Sequence, residues 1–227
     1  MPGRSIGFLT STIENNRLAE YVGRQVQAFY PDNYTVNMAD LAHCTNTALD
    51  RVRYCFEHIN DKYYFDKDGK VIFNHLNGDH YATFLYFLSN TVWLDSNDEV
   101  LASKIFLLNK ALHGIDVFYE VSMPDIFTLI HPLGTVLGRA SYSDFMVVYQ
   151  GCTIGSVVGR GFPTIGKNLT MYSNSSLLGN CIVGDNVIVG AGSYVINSEI
   201  SNNKIVVGQH PNFREIEIEN HEDIFFK

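Results

Sequence analysis

The chain has 227 residues, 46% hydrophobic and 18% charged, enough for one large domain or two small ones. Its formal net charge of −8 argues against a nucleic-acid partner. It has no run of about eighteen apolar residues to cross a membrane, and its first nine residues are too short and interrupted for a signal peptide. The reading is of a cytoplasmic protein. Four cysteines, Cys44, Cys55, Cys152 and Cys181, form no Cys-x-x-Cys pair and read as buried free thiols.

In chain order, residues 12–30 predict a helix capped by Ser11 or Thr12, with Ile13, Val22, Val26 and Phe29 on one face. Residues 40–58 predict a second, with Leu41, Ala48, Val52, Cys55 and Ile59 as its stripe. Residues 63–73 read as a β-hairpin around Asp66-Lys67-Asp68-Gly69-Lys70. That turn lacks the remaining ligands of a calcium loop. Residues 79–93 and 98–119 predict two more helices, and Met123-Pro124 stops the last. A domain boundary is placed there: 1–124 mainly helical, 125–208 a repeat domain, 209–227 a tail that covers the open end of the repeats. The aromatic richness of the helical part, with Phe127, Tyr142 and Tyr149, predicts burial against another subunit.

From Ile165 an aliphatic column recurs every six residues: Ile165, Met171, Leu177, Val183, Val189, Val195. Ser201 breaks it and Val207 resumes it. Upstream the column reads Ile130, Val136, Tyr142, Val148, Ile154, and the odd step from Ile154 to Ile165 implies a loop. Asn168, Asn174, Asn180 and Asn186 fill a turn position, while Cys152 and Cys181 fall at a small inward one. Period six fits neither a helix nor simple strand alternation; it fits a solenoid of short strands and tight turns.

These repeats resemble the hexapeptide-repeat acyltransferases, and among them proteins of the serine O-acetyltransferase type. Ile130-His131-Pro132, Tyr149-Gln150-Gly151-Cys152-Thr153-Ile154-Gly155, Pro163-Thr164-Ile165-Gly166 and Val189-Gly190-Ala191-Gly192-Ser193 carry the likeness. The resemblance implies an α+β chain: a mainly helical N-terminal domain, then a left-handed parallel β-helix. It also implies acetyl transfer from acetyl-CoA to a small hydroxyl compound (serine, another amino acid or a sugar), a homotrimer or dimer of trimers, and no metal. The chain departs from the family in two places. The Asp-His turn is absent, Ser143-Asp144-Phe145 standing nearest to it, and Phe162 stands where a second histidine would be. Neither catalytic histidine carries over.

Acyl transfer to a hydroxyl needs a base, an oxyanion donor and a groove for the donor's arm. The candidate catalytic residues are His131, the only histidine within the repeats, and Asp144. Its ring is a base or its place is a structural corner. His75, His80 and His113 are reserves that a neighbouring chain would have to bring. Candidates for coenzyme binding are Gly155, Ser156, Gly190, Ala191, Gly192, Lys204 and Gly208, with Arg160, Lys167 and Arg214 as further phosphate partners. Three readings stay open beside this one: a non-catalytic scaffold or inactive homologue, an N-acetyltransferase acting on an amino-sugar nucleotide, and a γ-type carbonic anhydrase. The last needs three zinc-binding histidines.

Overall fold

The structure is a computed structural model describing residues 9–159, 161–219 and 224–227. Four helices come first: α1 (Asn15–Phe29), α2 (Met38–Phe56), α3 (Gly78–Thr91) and α4 (Glu99–His113). The Asn37 side chain accepts from the Ala39 and Asp40 N–H groups, starting α2. Asn77 does the same for Asp79 and His80 at α3, and Asp98 accepts from Leu101 N–H at α4. From His80 onward α3 is buried on every side, packed by α2, α4 and the first solenoid strand.

Several local readings change. Glu14, not Ser11 or Thr12, precedes α1, because Thr10 and Ser11 form a strand instead. β1 (Thr10–Ser11) pairs in parallel with β2 (Ile72–Phe73), which takes up those N–H groups. Phe29 is exposed; Leu18, Ala19, Val22 and Val26 make the buried face. The hairpin shrinks to one bridge, Phe65 to Val71. Its turn is held by Asp66 Oδ1, which accepts from Asp68 and Lys70 N–H, both at 2.9 Å. The last helix stops at His113, where Gly114 takes φ +65° and caps it. Tyr81, Phe84, Tyr86, Phe87 and Phe127 are buried within this one chain, and Tyr142 donates to Gly138 O at 2.7 Å. Phe127 and Tyr142 thus need no second subunit for their burial, while Tyr149 is half-buried and Phe29 and Tyr63 are exposed.

The remainder is a parallel β-solenoid of about four coils. One face stacks β3 (Phe127–Ile130), β5 (Met146–Tyr149), β8 (Leu169–Met171), β11 (Val187–Val189) and β14 (Lys204–Val207). The second stacks β4 (Val136–Leu137), β6 (Thr153–Gly155), β9 (Ser176–Leu178) and β12 (Tyr194–Ile196). The third stacks β7 (Thr164–Ile165), β10 (Ile182–Val183) and β13 (Glu199–Ile200). Ile165, Met171, Leu177, Val183, Val189 and Val195 all point inward, with Cys152, Ser175, Cys181 and Ser193 beside them. All four cysteines are free and buried. Left-handed φ at Asn168, Asn186 and Asn203 repeats at one corner, with side-chain hydrogen bonds linking the three at 2.9 Å.

At both ends the six-residue column slips. After Val195 the inward residues are Ile200 and Val206, because the corner before β13 is one residue shorter. In the first coil they are Leu129 and Leu137, while Ile130 is half-buried and Val136 exposed. The loop expected after Ile154 is present: residues 156–163 join β6 to β7, where the next coil uses residues 179–181. The tail divides in two. β15 (Arg214–Glu217) adds antiparallel to β14, but the last residues return to the first coil. There Phe225 O accepts from Asn60 N–H at 2.7 Å, and Phe226 bridges to Ile59. Only the first part covers the far end.

Candidate active site

Strand register locates an unusual corner. Ile130 pairs with Tyr149, and Val136 pairs with Thr153. Residues 131–135 therefore lie opposite residues 150–152, five residues against three, and this corner carries two extra. His131 begins it at φ +51°, a conformation a histidine adopts only when its surroundings hold it. The hold is visible: His131 N–H donates to Asp79 Oδ1 (3.2 Å), and Leu133 N–H donates to His131 O (2.7 Å).

His131 stands at a cleft of about 320 Å³ between the helical region and the first coil. The link after α2 contributes Asn60, Asp61, Tyr63 and Tyr64; the start of α3 contributes Asn77 and Asp79. Thr128, Ile130, His131 and Tyr149 form the solenoid wall, and Ile224 and Phe225 of the tail form the fourth side. Asp61 is fixed as a cap, accepting from Tyr63 N–H at 2.9 Å. The Tyr64 hydroxyl and Thr128 Oγ1 share a hydrogen bond at 3.1 Å, and burial raises that phenol's pKa above its usual range. Burial also pushes the Asp79 carboxyl upward; His131 pulls it down and Asp61 adds a smaller upward push. Two carboxylates and an imidazole thus meet in one half-enclosed space.

Below the cleft, His80 is fully buried between the rings of Phe56 (4.7 Å) and Tyr64 (4.5 Å). Its Nδ1 accepts from Asn74 N–H, its Nε2 has no partner among the described residues, and burial drives its pKa down to about 4. His113 bonds Asn109 and is likewise pushed down to about 4 by burial. His75 is held by Thr12 Oγ1 at 2.8 Å. None of the three lines the cleft.

The other candidates divide by corner. Gly190, Ala191, Gly192 and Gly208 lie on the corner column that begins with His131, three and four coils along. At about 4.8 Å per coil, Gly190 lies roughly 14 Å from His131 along this edge. The Tyr149 and Tyr172 rings, 5.1 Å apart, stand between. A Cβ on Gly192 would meet nothing within 4 Å, so the edge is open there. Gly155 and Ser156 sit at the next corner, where the 156–163 loop departs. Phe162 borders a separate open groove with Arg139 and Tyr142.

Two candidates already have partners within the chain. Asp144 does not line the cleft; its Oδ1 accepts from Asp125 N–H (3.0 Å) and Ile126 N–H (3.1 Å), fixing the chain's entry into the solenoid. Lys204 forms an ion pair with Glu217 of β15, so its charge is already matched. Lys167 and Arg214 are exposed, and Arg160 lies outside the described residues. No group of three or more His, Cys, Asp or Glu is placed to hold a metal ion among the described residues, and no helix there is long and apolar enough to cross a membrane.

The model of the bacterial transferase hexapeptide (six repeats) matches residues 162–197. Over that stretch the repeats are of the bacterial transferase hexapeptide type. Among curated proteins, a serine acetyltransferase of Synechococcus elongatus is 30% identical over 105 residues, covering 44% of this chain and 43% of the relative. One from Staphylococcus xylosus is 31% identical over 111 residues, covering 47% and 51%. The chain thus spans about half the length of the curated relatives it matches. The crystal structure of Neisseria gonorrhoeae serine acetyltransferase superposes with a TM-score of 0.65 at 20% identity, covering 98% of this chain and 86% of that one. A serine acetyltransferase in complex with CoA gives 0.65 at 15%, covering 89% and 84%. These similarities establish the architecture: a helical region followed by a hexapeptide solenoid.

The hexapeptide pattern pointed to His131 but not to its partners. Asp61, Tyr64 and Asp79 lie in helical-region sequence with no repeat to mark them, and Phe225 comes from the far end of the chain. The one local signal was the cap Asn77-Gly78-Asp79, which fixes where α3 starts and so where Asp79 lies.

Proposed function

We propose that this protein is an acetyl-CoA-dependent O-acetyltransferase acting on a small hydroxyl compound, with His131 as the base. The observation that carries the reading is the widened first corner, which sets His131 in a cleft beside Asp79 on the edge that continues to Gly190, Ala191 and Gly192. The hexapeptide match and the serine acetyltransferase relatives support the donor and the reaction class; serine is the acceptor those relatives' names supply.

Acetyl-CoA brings the thioester. His131 takes the acceptor's hydroxyl proton as the oxygen attacks the carbonyl carbon. The carbon–sulfur bond breaks, and His131 returns that proton to the departing sulfur. Asp79 holds the corner by its bond to His131 N–H. The side-chain-poor corner at residues 190–192 leaves room for an extended arm against backbone groups. The protein assembles as a trimer, or a dimer of trimers, through the solenoid's outer faces, where Val136 and Ile182 are exposed. A light-scattering mass of only 25.6 kDa would sink the assembly.

The direct test is coenzyme binding followed by turnover. Coenzyme A should raise the melting temperature as its concentration passes the dissociation constant. Release of coenzyme from acetyl-CoA should then depend on added acceptor. No shift at millimolar coenzyme overturns the reading.

A further inference from the structure

Among the described residues the acidic groups of the cleft outnumber its one imidazole, that of His131. Asp61 and Asp79 both face the cleft, and neither forms an ion pair among the described residues. Elsewhere Asp32, Asp116 and Glu217 are each matched by a lysine. In the cleft each of the two carboxylates instead accepts from a single peptide N–H, Tyr63 to Asp61 and His131 to Asp79. Among the described residues no lysine or arginine lines it. Lys62, next to Asp61, turns its ammonium onto the Tyr63 ring, 5.0 Å from the centroid. Tyr63, Tyr64, Tyr149 and Phe225 bring aromatic rings to its walls, beside Ile59, Ile130 and Ile224. Unmatched carboxylates among ring faces make a receptor for an organic cation.

We propose that the acceptor is a hydroxyl compound bearing a protonated amine and no carboxylate, an amino alcohol in the broad sense that includes amino sugars. This rests on the cleft being the acceptor site. The ammonium bridges Asp61 and Asp79, which leaves a hydroxyl on the same molecule to reach the His131 ring. A carboxylate on the ligand would meet two like charges, with no lysine or arginine among the described lining residues to offset them. The amine, held protonated by its carboxylates, has no free lone pair, so acetyl goes to oxygen and not to nitrogen.

The test uses four compounds of similar size and different charge: ethanolamine, ethylene glycol, glycolate and L-serine, each supplied with acetyl-CoA while coenzyme release is followed. Ethanolamine should exceed each of the others in kcat/KM by at least about tenfold. Asp61→Asn and Asp79→Asn should each shrink the ethanolamine to ethylene glycol ratio to within about threefold, by raising the ethanolamine KM. Asp61 is exposed, so its variant folds and keeps the comparison valid. Serine or ethylene glycol matching ethanolamine overturns the proposal and leaves acetyl transfer standing. If no compound turns over, ethanolamine binding is read by saturation-transfer NMR with coenzyme A present. A signal lost in Asp61→Asn supports the proposal, and no signal in the parent protein overturns it. A missing coenzyme melting shift, by contrast, overturns the acetyltransferase reading itself.

Discussion

The backbone N–H of His131 donates to the Asp79 carboxylate at 3.2 Å, so the first corner of the solenoid is tied to the first turn of α3. With the Tyr64–Thr128 hydrogen bond, it joins the repeat domain to the helical region at the place where the cleft opens. It also explains how a histidine keeps φ +51°: both neighbours of the peptide are held, the N–H by Asp79 and the carbonyl by Leu133 N–H.

His131→Asn tests the base directly, since the amide keeps hydrogen bonding, tolerates positive φ and lacks basicity. Turnover should fall about 10²–10⁴-fold while the coenzyme-dependent melting shift persists. Near-normal turnover would remove His131 from the mechanism and leave its place as a structural corner.

Asp144 gives the opposite expectation. Its carboxylate satisfies two peptide N–H groups, those of Asp125 and Ile126. Asp144→Ala should lower stability by about 1–3 kcal/mol, and Asp144→Asn by less, because the amide oxygen still accepts. Chemical denaturation gives these values. A large loss of kcat in a stably folded Asp144→Asn would contradict the structural role.

How far the sequence disclosed this site depends on the repeat. Where every corner keeps its length, as from Ile165 to Val195, the inward column is legible by counting sixes. In the first coil the count places Ile130 and Val136 inside, whereas two residues bulge at His131 and the buried pair is Leu129 and Leu137. The slip that defeats the count is the same feature that opens the site. Asp61 and Asp79 were illegible for another reason: they reach His131 across about fifty to seventy residues of chain by tertiary packing, which no local period encodes. Asp144 stands nearest the missing Asp-His turn, yet its carboxylate serves the backbone.

Buried His80 and half-buried His113 set a pH dependence. His80 and His113 titrate near 4 in the folded protein and near 6.5 when unfolded. Between those values the unfolded chain binds more protons, so stability rises with pH from about 4 to about 6.5. Each histidine contributes on the order of 1 kcal/mol per pH unit there; the gain is complete above 6.5, and nothing more is lost below 4. His113→Gln should flatten the dependence of the urea midpoint on pH in that window relative to the parent protein. Identical slopes would show that His113 does not titrate this way.

The returning tail supplies the last prediction. Phe225 stands against Tyr149, with ring centroids 6.4 Å apart, and closes one side of the cleft. Its place does not depend on its own ring: its carbonyl is bonded by Asn60 N–H, Lys227 N–H bonds His58 O, and Phe226, only 4% exposed, anchors the segment. Phe225→Ala should therefore leave the tail docked and remove only a wall. The acceptor KM should rise about three- to tenfold, with the coenzyme melting shift unchanged, since the ring lies at the His131 end of the edge and not beside residues 190–192. Phe226→Ala is the contrasting change: it empties a buried site and should lower stability by about 3–5 kcal/mol. If Phe225→Ala leaves the acceptor KM unchanged while Phe226→Ala destabilises as expected, the tail is a clasp for the fold and takes no part in holding the acceptor.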